Sequence, residues 1–327
     1  MTDEQLKMAM IFMPRAVREM QRLRDSGGRF VHYTSADSAL TILRSGRMLL
    51  RNSLLMNDFS EVQYGMECLK AAYNSPNGER LKVLMKSVQD DLPEVFESNF
   101  SSDFGDVKNE TYLISISEHG DELEDQLGRL SMWRAYAPKN GVAFVFNNKP
   151  FLIESEALNA FSSPVNYSTP AQFADDFKEV VDAIEGNMEA IRPLDGEWLH
   201  EMLMRAFRFA VQSTKHPSFR EEREWRVIYT PTLLERDGKM TAQQAKRVPT
   251  EVMSLGGIPQ RVYAIPFKDY PEEEFVGATV PDLIDRILIG PTQDAYSIAQ
   301  AFAAELADHG VNDPYSKITI TGIPLRN

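Results

Sequence analysis

The sequence predicts an α+β protein with a mixed β-sheet core and flanking helices. Short runs of β-branched and aromatic residues recur along the 327-residue chain, and they are too numerous for a helical bundle. They also alternate with helical stretches too irregularly for a doubly wound parallel sheet. The hydrophobic fraction of 43% is sufficient for a large buried core.

Residues 1–28 are predicted to form an N-terminal amphipathic helix, and residues 29–327 a single domain. Apolar positions recur at helical spacing in the first segment, and we expect a bend at Pro14. Within the domain, residues 170–213 are predicted to be two helices inserted into the sheet fold.

The first part of the domain is predicted to be a strand-helix-strand unit. Residues 29–33 form its first strand, Ser35 caps the N-terminus of its helix, and Gly46 ends that helix. A second strand follows at residues 48–50. A further helix is expected to begin at Asn57-Asp58, where an Asx side chain can cap it.

The later elements follow from the same kinds of pattern. Strands are predicted at residues 111–117, 141–146, 225–229, 261–265, 284–289 and 318–321. Helices are predicted at residues 79–98, 127–136 and 294–308. The polar region 231–258, which contains Gly256-Gly257, is predicted to be an exposed loop or arm.

The charge and cysteine content restrict the function. The chain has 35 basic and 48 acidic residues, and its net charge of −13 argues against charge-driven attachment to nucleic acid or to an anionic membrane. A single cysteine excludes an intramolecular disulfide framework and fits a reducing cytoplasm. The N-terminus has the pattern of neither a signal peptide nor a spanning helix, so a cytoplasmic location without membrane contact is expected.

Several enzyme classes lack their motifs in this chain. There is no H-E-x-x-H motif, no glycine-rich phosphate loop with lysine, no G-x-S-x-G elbow and no dinucleotide-binding glycine fingerprint. The five histidines are scattered without the spacing of metal ligands, so no metal site is expected.

Two groups of polar residues on predicted strands are candidate site residues. The triplet His32-Tyr33-Thr34 lies at the end of the first strand, and Ser115 and Ser117 share one face of a later strand. The alternative for His32 is a core histidine that bonds to a backbone carbonyl.

The most informative stretch is the acidic start of an apolar strand, at Glu222 and Glu224. The two carboxylates are expected to share one face of this strand, and each must be solvated, paired or functional. The alternative is a structural ion pair with Arg226 or Lys215.

Six motifs together resemble an uncharacterised bacterial family of domains of unknown function, over the chain from about residue 30 to its end. They are H-Y-T-S from His32, N-D-x-x-E from Asn57, I-S before Glu118, M-W-x-x-Y-A from Met132, E-x-E-W-R from Glu222, and a late motif at residues 285–291.

The opening strand and the E-x-E motif are also similar to those of ADP-ribosyltransferases. The resemblance implies an NAD site with these residues: His32 on the nicotinamide ribose, Tyr136 or Tyr33 on the nicotinamide, Thr34, Ser115 and Ser117 beside them, and Glu222 or Glu224 on the ribose 2′-hydroxyl. Glu224 is expected to be the catalytic carboxylate, with Glu222 as its partner in orienting the nucleophile. NAD would be the substrate, and no metal is needed.

Breaking the nicotinamide-ribose bond passes through an oxocarbenium-like state that a fixed carboxylate stabilises. The resemblance therefore implies ADP-ribosyl transfer from NAD to a protein or a nucleic acid, as in a toxin or an anti-phage defence effector. One alternative is hydrolysis of NAD by water. Another is a non-catalytic module that binds a nucleotide or a partner in the same cleft.

Overall fold

The computed structural model describes residues 3–56, 60–120, 122–137, 139–153 and 155–324. Its strands are β1 (Arg29–Ser35), β2 (Arg47–Asn52), β3 (Tyr112–His119), β4 (Gly141–Phe146), β5 (Phe161–Pro164), β6 (Asn166–Tyr167), β7 (Thr214–Lys215), β8 (Glu224–Tyr229), β9 (Thr250–Leu255), β10 (Ile258–Pro266), β11 (Ile284–Ile289) and β12 (Ile318–Ile320).

The helices are distributed along the described chain, between the strands. They are α1 (Asp3–Phe12), α2 (Pro14–Ser26), α3 (Ala36–Ser45), α4 (Ser60–Tyr73), α5 (Pro76–Lys86), α6 (Leu92–Asn109), α7 (Glu122–Leu127), α8 (Leu130–Tyr136), α9 (Lys149–Leu152), α10 (Pro170–Gly186), α11 (Met188–Ile191), α12 (Gly196–Gln212), α13 (Pro231–Arg236), α14 (Ala242–Arg247), α15 (Val280–Leu283) and α16 (Ala295–Asp308). Short 3₁₀ turns occupy Ser53–Leu55, Pro217–Glu222, Pro271–Glu273 and Pro314–Lys317. Among the helices that the structure describes, none is long and apolar enough to span a bilayer.

Ten strands of the described chain form one sheet. Its main path runs β12-β11-β4-β1-β3-β2-β10-β9, while β8 pairs with β3 and β5 pairs with β8. The β11–β12 pair is parallel and the other pairs of this sheet are antiparallel. The strands β6 and β7 form a separate parallel pair. This mixed sheet with many helices confirms the α+β class.

One edge of β3 is shared by two strands and has a gap between them. The β1 strand pairs with residues 117–119 of β3, and β2 pairs with residues 112–113. The opposite edge of β3 is occupied by β8. The segment 114–116 therefore has no strand beside it on the β1/β2 edge in the described part of the chain.

In the described part of the chain, two large hydrophobic cores and one small one hold the sheet and the helices together. The first joins the sheet to α3 and α16, and it contains Phe30, Phe144 and Trp225. The second lies among α1, α4, α5, α6, α10 and α12, which pack mainly on one another. The third is small and joins α8 to the face of the sheet that carries Val31 and Tyr33. The helices of residues 170–213 thus belong to the second core.

The predicted strand-helix-strand unit is confirmed, including both helix ends. The Ser35 hydroxyl accepts a 3.2 Å hydrogen bond from the Ser38 amide at the start of α3. Gly46 ends α3 in a left-handed conformation, with φ of +58°. The helix after β2 begins at Ser60 among the described residues, and the cap predicted at Asn57-Asp58 lies outside them.

Two predicted helices are each interrupted, and a predicted loop contains helices and a strand, so these three predictions were wrong. The helix predicted at 79–98 is interrupted between Lys86 and Leu92, because Pro93 lacks an N–H group and fits only the first turn of α6. The helix predicted at 127–136 is interrupted at Gly128, which has φ of +65°. The loop predicted at 231–258 contains α13, α14 and the edge strand β9.

The bend predicted at Pro14 is a complete break. The helix α1 ends at Phe12, Met13 is non-helical, and Pro14 is the first residue of α2. Proline is favoured at a first helical position because its φ angle already suits the helix.

Candidate functional site

The pairing of β3 with β8 brings four polar side chains to one face of the sheet. Ser115 lies opposite Arg226, and Ser117 lies opposite Glu224. Antiparallel partners share a face, and alternate residues along a strand share it too. The predicted serine face and the predicted acidic strand are therefore neighbours.

Glu222 reaches this face by a different route from the one predicted. It ends the 3₁₀ turn Pro217–Glu222, and it does not lie on β8. The residue between the glutamates, Arg223, has a left-handed backbone with φ of +45° and ψ of +46°. This turn, and not strand alternation, brings the two carboxylates together.

Glu224 is the centre of a buried ionic network, and its side chain is only 6% exposed. The guanidinium of Arg226 donates to both carboxylate oxygens at 3.0 and 3.2 Å, and the Ser115 hydroxyl donates at 2.6 Å. Lys215 adds a 3.3 Å contact. Burial alone would raise the pKa of Glu224, but the charges of Arg226 and Lys215 outweigh it and lower the pKa to about 2.

Glu222 is the more accessible of the two carboxylates, with its side chain 18% exposed. Its Oε2 accepts a 2.7 Å hydrogen bond from Nζ of Lys215, and its Oε1 accepts a 2.9 Å bond from the Tyr136 hydroxyl. The Ser117 hydroxyl donates to its main-chain carbonyl. Lys215 therefore bridges Glu222 to Glu224. We call Ser115, Lys215, Glu222, Glu224 and Arg226 the glutamate cluster.

Tyr167 supports the cluster from the β6–β7 pair. Its hydroxyl accepts a 2.8 Å hydrogen bond from the Glu224 amide, and its backbone pairs with Lys215. Burial, together with the charge of Glu224, raises the pKa of Tyr167, so its hydroxyl stays protonated at neutral pH. The Nζ of Lys215 also lies 4.6 Å from the ring centre of Phe219.

His32 approaches β3 from the opposite face of the sheet. Its register partner on β4 is Phe144, whereas the preceding residue, Val31, pairs with Ser117 on the glutamate side. The imidazole Nδ1 lies 3.1 Å from the main-chain carbonyl oxygen of Ser115, within the gap beside β3. Burial lowers the pKa of His32 and outweighs the opposite effect of this hydrogen bond. Its assignment to the nicotinamide ribose stays a prediction.

Three more of the residues predicted to contact NAD differ in accessibility. Tyr33 is buried, its ring packs edge-to-face on Trp133 at 4.8 Å, and its hydroxyl accepts a bond from the Arg129 amide. Tyr136 is 38% exposed. Thr34 is half-buried and shares the face of His32. Of the two tyrosines proposed for the nicotinamide, Tyr136 is therefore the one that a ligand can reach.

Two residues of this region were not predicted from the sequence, and a third was predicted to have a smaller role than the structure shows. Tyr167 and Arg129 had no motif to mark them, since each acts through backbone groups distant in sequence. Lys215 was considered only as a possible ion-pair partner, yet it joins both glutamates. Its closeness in sequence to Glu222 and Glu224 was the signal that could have identified it as a partner of both.

The glutamate cluster holds two carboxylates and two cations, so its formal charges cancel. Of the two carboxylates in the cluster, Glu222 is the one that combines partial exposure with a hydrogen bond from an aromatic side chain. Such an arrangement can stabilise positive charge on a ligand without releasing the buried ion pairs. Within the described residues, no group of three or more His, Cys, Asp or Glu side chains is placed to hold a metal ion.

One family model matches the chain, over residues 132–227, and it is described as a protein of unknown function (DUF2971). The matched segment runs from α8 to β8 and includes Tyr136, Lys215, Glu222 and Glu224. No curated protein and no solved structure matches the chain significantly. The resemblance to a family of unknown function is thus confirmed for this segment.

Proposed function

We propose that the chain is an NAD-dependent ADP-ribosyltransferase-like enzyme in which Glu222 is the catalytic carboxylate. The observation that carries this proposal is the difference between the two glutamates. Glu222 is partly exposed and hydrogen-bonded to the accessible Tyr136, whereas Glu224 is enclosed by Arg226, Lys215 and Ser115. This exchanges the roles that the sequence suggested for the two residues.

The reaction needs a fixed negative charge beside the nicotinamide ribose. The N-glycosidic bond breaks, nicotinamide leaves with the bonding electrons, and positive charge develops at C1 of the ribose. A nucleophile of the acceptor then bonds to C1 and releases its proton to the solvent. In the proposal, the Glu222 carboxylate stabilises the developing charge, and the Tyr136 ring contacts the departing nicotinamide.

Glu224 is a positioning residue in this proposal. Its low pKa keeps it ionised throughout the physiological range, so it holds Lys215 by charge. Lys215 in turn fixes one oxygen of Glu222 at 2.7 Å. A carboxylate that is held in advance need not reorganise during the reaction, and this preorganisation lowers the barrier.

A second candidate function is a non-catalytic module that binds a nucleotide or a partner on the same face. It is favoured by one observation, the neutralisation of both glutamates by Lys215 and Arg226. An ion network of this kind can be purely structural. Hydrolysis of NAD by water is the other outcome that the experiment below distinguishes.

The test is to incubate the protein with NAD labelled in the adenylate half, and with cell lysate or nucleic acid, while nicotinamide release is followed. The Glu222→Gln variant is expected to lose release by about 100-fold or more, since it removes the charge that the transition state needs. Glu221→Gln is the matched control, because Glu221 is an exposed neighbour on the same 3₁₀ turn.

Label on a macromolecule would indicate transfer, and release without such label would indicate hydrolysis. Calorimetric binding of NAD without any release would favour the binding module. Equal release by wild type and Glu222→Gln would contradict the role of Glu222.

A further inference from the structure

We propose that Arg129 is a positioning residue that holds the backbone turn carrying Glu222, an inference that rests on the proposed role of Glu222. The turn is residues 221–224. Arg129 contacts it through main-chain carbonyl oxygens, so its action is on the backbone and not on a ligand. The structure provides three observations for this role: the contacts of the guanidinium, the strain at Arg223 and the anchoring of Arg129 itself.

The guanidinium of Arg129 ties the turn to the end of β3. Its Nη1 donates to the carbonyl of Glu221 at 2.5 Å, and its Nη2 lies 3.2 Å from the carbonyl of Glu118 and 3.5 Å from that of Glu222. The Arg129 side chain is only 10% exposed. The planar fork of an arginine can reach several carbonyls at once, which a single lysine ammonium cannot do in the same geometry.

The turn needs such a clamp because its central residue is strained. Arg223 has φ of +45°, a region in which the Cβ of an L-residue comes too close to its own backbone. Its side chain makes a 3.1 Å ion pair with Glu124 but is 49% exposed, which weakens the pair, and Glu124 also lies 3.5 Å from Nε of Arg129. Relaxation of Arg223 would rotate the neighbouring peptide units and separate Glu222 from Lys215.

Arg129 is itself anchored to the rigid part of the sheet. Its amide donates a 2.9 Å hydrogen bond to the Tyr33 hydroxyl, and Tyr33 packs on Trp133 of α8. The indole of Trp133 donates to the carbonyl of Leu127 at 2.7 Å. Arg129 thus fixes the turn of residues 221–224 relative to β1 and α8.

A double-mutant cycle tests the clamp by hydrogen exchange, with no requirement for activity. The reporter is the amide of Glu118, which donates a 2.9 Å hydrogen bond to the carbonyl of Arg223. In Arg129→Ala, we expect exchange of this amide to accelerate about tenfold, because the strained turn opens more often. Arg223→Gly removes the strain, since glycine adopts positive φ without the Cβ conflict.

The effect of Arg129→Ala is expected to be at least about threefold smaller in the Arg223→Gly background than in the wild type. Arg223→Ala is the matched control, because it removes the Glu124 ion pair and keeps the strain. In that background, Arg129→Ala should have its full effect. Thermal unfolding of every variant is recorded to confirm that the fold is retained.

The kinetic readout separates positioning from ligand contact. Arg129→Ala should lower kcat for nicotinamide release about tenfold with little change in KM, and Arg223→Gly should restore most of this loss. Unchanged exchange at Glu118, or an equal effect of Arg129→Ala in all three backgrounds, would overturn the clamp. If wild type releases no nicotinamide while the exchange cycle behaves as expected, the proposed function fails and the clamp stands.

Discussion

The Ser115 hydroxyl donates a 2.6 Å hydrogen bond to Glu224 across the β3–β8 pair. The main-chain carbonyl oxygen of the same residue lies 3.1 Å from the His32 imidazole, on the opposite edge of β3. Ser115 therefore touches the two groups that the sequence singled out, one through its side chain and one through its backbone. Substitution of the side chain alone separates these two contacts.

Ser115→Ala should remove the bond to Glu224 and leave the contact of His32 unchanged. A hydrogen bond to a buried charged acceptor contributes about 1.5 to 3 kcal/mol, so the free energy of unfolding should fall by that amount in urea denaturation. Ser117→Ala is the matched control. It removes a bond to a neutral carbonyl of Glu222, for which about 1 kcal/mol is expected. A smaller loss for Ser115→Ala than for Ser117→Ala would contradict the charged contact.

Glu224→Gln should destabilise the fold more than Glu222→Gln. The first substitution removes the charge of a buried carboxylate that pairs with both Arg226 and Lys215, and the loss is expected to be about 3 kcal/mol. Glu222 is partly exposed, and a glutamine can still accept the Lys215 bond through its carbonyl oxygen and donate to the Tyr136 hydroxyl through its amide, so about 1 kcal/mol or less is expected. Denaturation at neutral pH measures both. Similar losses would contradict the buried ionic network around Glu224.

The stability difference between wild type and Glu224→Gln should depend on pH. The pKa of Glu224 is lowered from its ordinary 4.5 to about 2 in the folded chain. Its contribution is therefore complete above about pH 4.5 and is lost as the pH falls towards 2. Because glutamine resembles the protonated acid, the difference in unfolding free energy between the two proteins should shrink over this range. A difference that stays constant from pH 7 to 3 would exclude the lowered pKa.

Part of the candidate site followed from the sequence because it depends on strand alternation. The spacing of Ser115 and Ser117, and the acidic start of β8 at Glu224, are local patterns, and the β3–β8 register brings them together. The helix ends at Ser35 and Gly46 were predictable for the same reason, since capping uses groups within a few residues.

The remainder depends on contacts that no local pattern records. Arg223 adopts a left-handed conformation without being glycine or asparagine, so nothing marks the turn that positions Glu222. The face occupied by His32 is set by the register of β1 on β4. The strand β9 is exposed at alternate residues and partly exposed between them, so it lacks the apolar alternation that identifies a strand.

Gly128→Ala should destabilise the segment that carries Arg129. Gly128 has φ of +65°, and an added Cβ would lie 2.8 Å from the Trp133 indole nitrogen and 3.0 Å from the Tyr33 hydroxyl. Strain and crowding together should lower the unfolding free energy by about 2 kcal/mol or more. Gly105→Ala, within α6 and with open space around an added Cβ apart from its own helix backbone, should instead raise it by about 0.5 to 1 kcal/mol. Equal effects of the two substitutions would argue against the left-handed turn.

His32 is expected to be neutral at pH 7, with its proton on Nδ1. The carbonyl of Ser115 can only accept a hydrogen bond, so the nitrogen 3.1 Å from it must be the donor. Burial lowers the pKa of this imidazole below its ordinary 6.5, and the group therefore binds fewer protons in the folded chain than in the unfolded one. Its contribution to stability is complete above about pH 6.5 and declines as the pH falls below that value.

Nitrogen-15 chemical shifts of the imidazole report both the tautomer and the titration. We expect the Nδ1–H form and a midpoint below 6.5. His32→Ala should lower the unfolding free energy by about 1 to 3 kcal/mol at pH 7, because the Ser115 carbonyl loses its donor beside the gap in the sheet. The penalty should be smaller at pH 5, where part of the wild-type contribution is already lost. A proton on Nε2, or a midpoint above 6.5, would show that the ring is held by a different contact.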